Sequence, residues 1–150
     1  MNPRFEARPA LTVVGYQIDT KPMSPEIGEL WGKFGSAHDV QWPPSIGGGG
    51  AYGVMQYHED TGVLTYMAGI PVAPDAQVPE GMHKWDVPET EYAIFSTVLD
   101  NLAETFTKIY NEWLPNADVD GGTGPALEWY GPGFHEKHLD VNVLIPIRRR

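Results

Sequence analysis

The sequence predicts an α+β fold in which a strand-helix-strand-strand unit occurs twice. The two copies form an antiparallel sheet with two main helices and pseudo-twofold symmetry. Three observations support this prediction. Residues 11–72 carry one β-rich segment, one amphipathic helical segment and two further β-rich segments, in that order. Residues 90–147 repeat the order, and a proline-containing crossover at 73–89 separates the copies.

The length of 150 residues suits one hydrophobic core. We therefore expect a single ligand-binding domain over 1–150, with internal halves of about 1–75 and 88–150. Each unit supplies one amphipathic helix for three strands, so its helix can cover only one face of the unit. The two units together are then expected to shelter a cleft where their helices approach each other, which is a usual place for a ligand.

The first unit opens with a β-branched strand at 11–19, followed by a helix from the N-cap Ser24 to Gly35. The apolar face of this helix is expected to consist of Ile27, Leu30, Trp31 and Phe34. The segment "WPPSIGGGG" indicates a flexible loop and not a phosphate loop, because a strand follows it and no lysine is near. Strands 51–58 and 63–72 then form a hairpin across the turn "EDTG".

The second unit starts after the crossover, which is expected to be a surface loop. A strand at 90–98 precedes the strongest helical pattern of the chain, 99–114, which Pro115 is expected to end. The apolar residues at helical spacing are Leu99, Leu102, Phe106, Ile109, Tyr110 and Trp113. Strands at 125–131 and 139–147 complete the unit.

Composition and charge exclude several classes of function. The chain has no cysteine, so it forms no disulfide and no thiolate metal site. No apolar run is long enough to span a membrane, and the N-terminus has no signal-peptide pattern, so we expect a cytoplasmic protein without membrane contact. The net charge is −10, and without the three C-terminal arginines it would be −13. Such an acidic chain is expected to attract cations and not to bind nucleic acid directly.

Eight short segments, in this order along the chain, resemble one known family. They are "LTVVGYQ", "LWGKF", "YGV", "TYMAGIPV", "YAIFS", "YNEWLP", "ALEWY" and "VNVLIPI". The sequence is similar to the GyrI-like small-molecule-binding domain, which is also the effector-binding domain of AraC- and MerR-type transcription regulators. The resemblance covers nearly the whole chain, and the family fold is the same doubled unit.

The resemblance implies a ligand class and one site residue. Family members bind lipophilic and often cationic compounds in an aromatic pocket between the halves, and Glu128 occupies the position of a recurrent pocket glutamate. The chain departs from the regulators in having no DNA-binding domain, so any regulatory role would need a partner regulator. Other relatives stand alone, as gyrase modulators or as hydrolases of strained cyclopropane natural products.

Glu128 is the main candidate site residue. Glutamate is rarely buried, so an arbitrary strand glutamate is expected to face water. Strand alternation places Ala126, Glu128 and Tyr130 on one face and Leu127 and Trp129 on the other, so both faces carry an aromatic ring. In a half-apolar pocket the pKa of Glu128 should rise, and a cationic ligand would restore the charged form.

The remaining candidates are aromatic. The full set expected to bind ligand is Glu128, Tyr66, Tyr92, Trp31, Phe34, Tyr130 and Trp85. Trp31 and Phe34 could equally serve as core residues of their helix. Tyr66 and Tyr92 are mid-strand tyrosines in matching regions of the two halves, and a buried phenol needs a partner such as a carboxylate. Trp42 and Trp85 are expected to lie in loops, where each indole is either a lid over the pocket or an anchor of its loop.

No metal or cofactor site is expected. The histidines do not form a ligand set, because "HEKH" at 135–138 has no third ligand nearby. Serine-nucleophile and dinucleotide-binding motifs are absent from the sequence.

Three functions remain open at this level. The leading hypothesis is a non-catalytic binding protein for cationic or amphipathic aromatic compounds, acting as a sensor or sequestering module. A hydrolase of electrophilic small molecules could use the same pocket, with a glutamate of raised pKa as general acid or base. The third is a protein-interaction module of the gyrase-modulator type. A regulator protein or a second copy of the chain, in a homodimer, is the expected macromolecular partner.

Overall fold

A computed structural model describes residues 2–37, 40–46, 50–131 and 140–150. Its strands are β1 (Arg4–Arg8), β2 (Leu11–Thr20), β3 (Ala51–His58), β4 (Val63–Val72), β5 (His83–Val87), β6 (Thr90–Val98), β7 (Val119–Gly121), β8 (Ala126–Tyr130) and β9 (Asp140–Arg149). Its helical segments are α1 (Pro25–Gly35), a 3-10 turn (Leu99–Asn101), α2 (Leu102–Lys108), a π-helical turn (Ile109–Trp113) and α3 (Leu114–Asn116). None of the helices in these ranges is long and apolar enough to cross a membrane.

The sheet confirms the predicted fold class. Its strands run antiparallel in the order β1-β6-β9-β8-β3-β4-β2-β5, with β7 beside β9. The order is symmetric about the β3–β8 pair, because β3, β4 and β2 of the first unit mirror β8, β9 and β6 of the second. The strands expected at 51–58, 63–72 and 90–98 coincide with β3, β4 and β6.

Two short strands exchange between the units. β1 precedes β2 in the chain but pairs with β6, and β5 precedes β6 but pairs with β2. The interpretation of 73–89 as loop alone was therefore wrong, and so was the loop position of Trp85, which pairs with Val13 from within β5. Both strands lie at an edge of the sheet. Each therefore forms backbone hydrogen bonds with only one neighbouring strand and can carry polar side chains. Because of the exchange, each unit contributes backbone hydrogen bonds to the other.

The sheet has two distinct faces. On the face that we call the helix face, α1 covers a cluster containing Leu30, Tyr66 and Ala68, while α2 and the π-helical turn cover one containing Phe95 and Ile109. The opposite face, which we call the open face, carries a third cluster. This third cluster consists of Val13, Tyr52, Val54, Met67, Val87, Tyr92, Ile94, Leu127 and Leu144, with Leu11, Trp85 and Trp129 packed against it.

The second helical region is less regular than its apolar pattern predicts. It begins as a 3-10 turn, continues as α2, and widens into a π-helical turn at Ile109–Trp113 before α3. Pro115 lies inside α3 and does not end the helical region where we expected. Since proline has no N–H group, the regular i→i−4 hydrogen bond is missing directly after the π-helical turn. Trp113 at the end of this turn packs against Phe95, with ring centroids 5.0 Å apart.

Candidate functional site

A buried carboxylate lies at the centre of the helix face. Glu128 on β8 is only 5% exposed. Its Oε1 atom accepts hydrogen bonds from the Tyr66 hydroxyl at 2.6 Å and from the Tyr130 hydroxyl at 2.9 Å. Tyr66 and Tyr130 are themselves buried. The described residues donate no hydrogen bond to Oε2, so one carboxylate oxygen is held by phenols and the other remains available.

The strand order explains how two distant phenols reach one oxygen. β3 lies between β8 and β4, and Gly53 on β3 is paired with Glu128. A Cβ atom at Gly53 would lie 2.5 Å from Glu128 Oε1 and 2.5 Å from the Tyr66 hydroxyl. The absence of a side chain at Gly53 therefore lets Tyr66 reach across β3 to the carboxylate. Tyr130 follows Glu128 by two residues on β8 and shares its face.

Helix α1 covers this cluster with aromatic rings. The Trp31 indole Nε1 donates a hydrogen bond to the Tyr66 hydroxyl at 2.8 Å. The Trp31 ring meets the Tyr130 ring edge to face, with centroids 5.0 Å apart, and Phe34 packs on Trp31 at 5.4 Å. A continuous chain of donors thus leads from the indole through one phenol to the carboxylate. We call Glu128, Tyr66, Tyr130, Trp31 and Phe34 the Glu128 cluster.

The electrostatics of the Glu128 cluster are unusual. Burial raises the pKa of Glu128, and the two phenol hydrogen bonds only partly offset this rise. Burial and then the nearby Glu128 charge raise the pKa values of Tyr66 and Tyr130, so both remain protonated donors. No basic side chain among the described residues forms an ion pair with Glu128. Among the described residues, the site therefore holds a carboxylate with hydrogen-bond donors but without a counter-charge.

Five of the seven predicted ligand-binding residues come together in the Glu128 cluster, and two do not. Tyr92 and Trp85 belong to the cluster on the open face. Alternation on β6 explains the position of Tyr92. Ala93 and Phe95 of the same strand lie on the helix face, so Tyr92 lies on the open face. Burial raises the pKa of Tyr92 to about 12. The two tyrosines that looked equivalent lie on non-equivalent strands, since Tyr66 is on the last strand of its unit and Tyr92 on the first.

Trp42 and Gly53 complete the surroundings of the site. The Trp42 indole donates to the carbonyl oxygen of Ala37 at 3.1 Å, and its ring packs against Phe34 at 5.4 Å. Trp42 is thus an anchor of the segment after α1. Sequence reasoning missed Gly53, although its signal was present as a glycine inside an otherwise apolar strand, which marks a close approach of neighbouring groups.

Glu128 is buried beneath its neighbours. Among the described residues, one shallow cavity of 220 Å³ lies between α1 and β2 and another of 250 Å³ lies on the open face, and neither is lined by Glu128. Among the described residues no group of three histidine, aspartate or glutamate side chains could hold a metal ion. The "HEKH" segment lies outside the described residues. Within the described residues, Trp31 donates to Tyr66 and packs on Tyr130, so its indole lies over the two phenols that bind Glu128.

Comparisons with known proteins identify the family. The family of integron-associated effector binding proteins, Cass2, matches residues 4–147. The transcriptional regulator BrlR of Pseudomonas aeruginosa is 30% identical over 155 residues, covering 98% of this chain and 56% of the regulator. The chain thus spans about half the length of this relative.

Three solved structures share the fold. The structure of SAV2435 bound to tetraphenylphosphonium has a TM-score of 0.75 at 15% identity, over 99% of this chain and 94% of that one. The EcmrR C-terminal domain has a TM-score of 0.70 at 10% identity, over 99% and 98%. The integron cassette protein from the mobile metagenome of Vibrio cholerae has a TM-score of 0.67 at 17% identity, over 98% and 96%. These structures share the fold, and the match over residues 4–147 shows that the chain belongs to the Cass2 family of integron-associated effector binding proteins.

Proposed function

We propose that the chain is a non-catalytic binding module for lipophilic cations, and that Glu128 is the charge that selects them. The observation that carries the proposal is a buried carboxylate that has no counter-charge among the residues that the structure describes. A buried charge is costly unless it is paired, and the raised pKa of Glu128 reflects that cost. A cation placed beside the free Oε2 atom would supply the missing partner.

The surroundings of Glu128 favour a cation that is also apolar and aromatic. Trp31, Phe34 and Tyr130 present ring faces and edges within one cluster. A cation over an aromatic face gains about 0.5–2 kcal/mol when it is desolvated. A small hydrated cation would instead lose its water without gaining apolar contact. SAV2435, which shares the fold, has been solved with tetraphenylphosphonium, a cation of this kind.

Ligand binding in this proposal begins with the opening of the aromatic cover. Trp31 would give up its hydrogen bond to Tyr66, and the ligand would take the space of the indole against Tyr130. Without ligand, the internal contacts of the protein keep Glu128 buried. In the complex, contacts with the ligand replace these internal contacts. The movement of α1 would also change the protein surface when the ligand binds, which a sensor requires.

We further propose that the module serves as a sensor or a sequestering protein in the cytoplasm. BrlR, a transcriptional regulator, contains a segment similar to the whole of this chain. Such a sensor would act on a separate regulator protein or through a homodimer.

Paired ions of equal shape test the proposal directly. Tetraphenylphosphonium and tetraphenylborate have nearly the same size and aromatic surface but opposite charge. We expect calorimetric titration to show binding of the phosphonium and at least tenfold weaker binding of the borate. Equal affinity for both ions would mean that the site selects aromatic surface alone, and the proposal would then fail.

A further inference from the structure

The open face carries a second cavity whose chemistry differs from that of the Glu128 cluster. It has a volume of 250 Å³ and is lined by Gln17, Gln56, His58, Thr65 and Trp85. These residues come from β2, β3, β4 and β5, which are neighbours in the sheet. Gly15 pairs with Gly69, so these two strands place no side chain on the open face between Val13 and Gln17.

A hydrogen-bonded chain orders one wall of this cavity. The Thr65 hydroxyl donates to Asp19 Oδ1 at 2.8 Å, and His58 Nε2 lies 3.0 Å from the same hydroxyl. Because the only proton of the Thr65 hydroxyl is directed to Asp19, the imidazole must donate to Thr65. Side chains from three adjacent strands are thereby held in one orientation without a ligand.

The other walls present unused hydrogen-bonding groups beside an apolar surface. Within the described part of the chain, the side-chain amides of Gln17 and Gln56 and the indole N–H of Trp85 have no hydrogen-bond partner. All three side chains are half-buried. Trp85 packs against the apolar cluster of the open face and also lines the cavity. The cavity thus combines a flat apolar wall with two amides that can each donate and accept.

We propose that this cavity is a second ligand site, which takes a neutral polyhydroxylated ring such as a monosaccharide. Each sugar hydroxyl both donates and accepts a hydrogen bond, as the glutamine amides do. The apolar face of a pyranose ring fits an indole, which offers a large rigid apolar surface and one polar handle. The volume is below the range of about 300–1,000 Å³ that is typical of drug-sized ligands, so a single ring is the appropriate size.

Charge separates this ligand class from the alternatives. Asp19 borders the cavity and the chain carries a net charge of −10, so phosphorylated or acidic sugars would be repelled. The five residues that line the cavity include no carboxylate, and Asp19 at its border already accepts the Thr65 proton, so a lipophilic cation would have only this one engaged carboxylate nearby. The site lies on the opposite face from Glu128, and its test is independent of the function proposed above.

Nuclear magnetic resonance on the ¹⁵N-labelled full chain tests the proposal. The chain has five tryptophans, and Trp85→Phe assigns the indole signal of Trp85. The probes are D-glucose, D-galactose and D-mannose, titrated to about 50 mM, since one small neutral ring is expected to bind with a dissociation constant on the order of 1 mM. We expect a saturable shift of the Trp85 indole signal and of the Gln17 and Gln56 side-chain amide signals, with the Trp31 indole unchanged.

Variants test whether these signal shifts come from binding in the cavity. Gln56→Ala and Thr65→Val should each weaken the dissociation constant at least fivefold, while the exposed control Gln77→Ala and the site variant Glu128→Gln should leave it unchanged. The amide spectrum of each variant shows whether it remains folded. Gln56→Ala removes a side-chain amide from the cavity wall, whereas Thr65→Val removes the hydroxyl that binds Asp19 and His58. The proposal is overturned by the absence of saturable shifts with all three sugars, or by shifts that persist in both cavity variants. It is also overturned if a neutral heteroaromatic ring such as caffeine saturates the site and the sugars do not.

Discussion

Replacement of Glu128 by glutamine is expected to leave the protein at least as stable as the wild type at neutral pH. The glutamine oxygen can still accept from Tyr66 and Tyr130, but as neutral hydrogen bonds of about 0.5–1.5 kcal/mol each in place of charged ones of about 1.5–3 kcal/mol. That change costs about 2–3 kcal/mol for the two bonds together. Removal of the buried charge returns several kcal/mol of desolvation. Since the pKa of Glu128 is raised, desolvation is the larger effect.

The same reasoning gives a sign for the pH dependence. The folded-state pKa of Glu128 lies above its unfolded value, so between the two values the folded state binds more protons. The free energy of unfolding of the wild type should therefore fall as pH rises from about 4.3, the usual value for glutamate, through the raised pKa. Glu128→Gln lacks this decrease, so the variant should match the wild type at pH 4 and exceed it by about 0–2 kcal/mol at pH 8.

Urea unfolding of both proteins at pH 4 and pH 8 provides the measurement, with the exposed Glu29→Gln on α1 as the matched control. The control removes one negative charge without changing a buried group, so its stability should follow the wild type at both pH values. A variant that is less stable than the wild type by more than about 1 kcal/mol at pH 8, with a gap that closes at pH 4, would refute the reasoning. That result would mean that the phenols stabilise the carboxylate more than burial destabilises it.

Two further substitutions test the geometry of the site. Gly53→Ala places a methyl group 2.5 Å from both the Glu128 oxygen and the Tyr66 hydroxyl, and we expect urea unfolding to show a loss of about 1–3 kcal/mol, together with loss of phosphonium binding. The control Gly28→Ala on α1 meets nothing within 4 Å, and it should be neutral or stabilising by up to about 1 kcal/mol; an equal loss in both variants would contradict the steric argument. Trp31→Phe removes the hydrogen bond to Tyr66 and should lower stability by about 0.5–1.5 kcal/mol while it raises phosphonium affinity about 2–10-fold, because the cover opens more easily. An unchanged or lower affinity of Trp31→Phe in calorimetric titration would show that Trp31 is not displaced on binding.

Hydrophobic periodicity was sufficient to predict the doubled unit and most strand limits. The segments 51–58, 63–72 and 90–98 are rich in apolar, aromatic or β-branched residues, so they were located correctly. β1 and β5 were missed because edge strands need only one partner and tolerate exposed charge. "RFEAR" and "HKWDV" have little apolar content, and their pairing partners lie in the other unit, beyond any local pattern.

The site could be predicted only where strand order did not matter. Glu128 and Tyr130 lie two residues apart on one strand, so their common face followed from alternation. Tyr66 and Tyr92 looked alike in sequence, and only the position of β3 between β4 and β8 decides that Tyr66 reaches the carboxylate. The role of Gly53 is likewise a contact between three strands, which no single segment encodes.

Calorimetric titration of tetraphenylphosphonium into the wild type and Glu128→Gln, at pH 8 and again near pH 5, tests the central claim most directly. At pH 8 the variant should lose about 1.5–3 kcal/mol of binding free energy, the scale of a close contact to a charged group. Wild-type affinity should fall as pH decreases through the raised pKa of Glu128, because a protonated carboxyl no longer attracts the cation, and binding near that pKa should release protons. The variant should show neither the pH dependence nor the proton release. Equal phosphonium affinity in both proteins at pH 8 would contradict the assignment of Glu128 as the selecting charge.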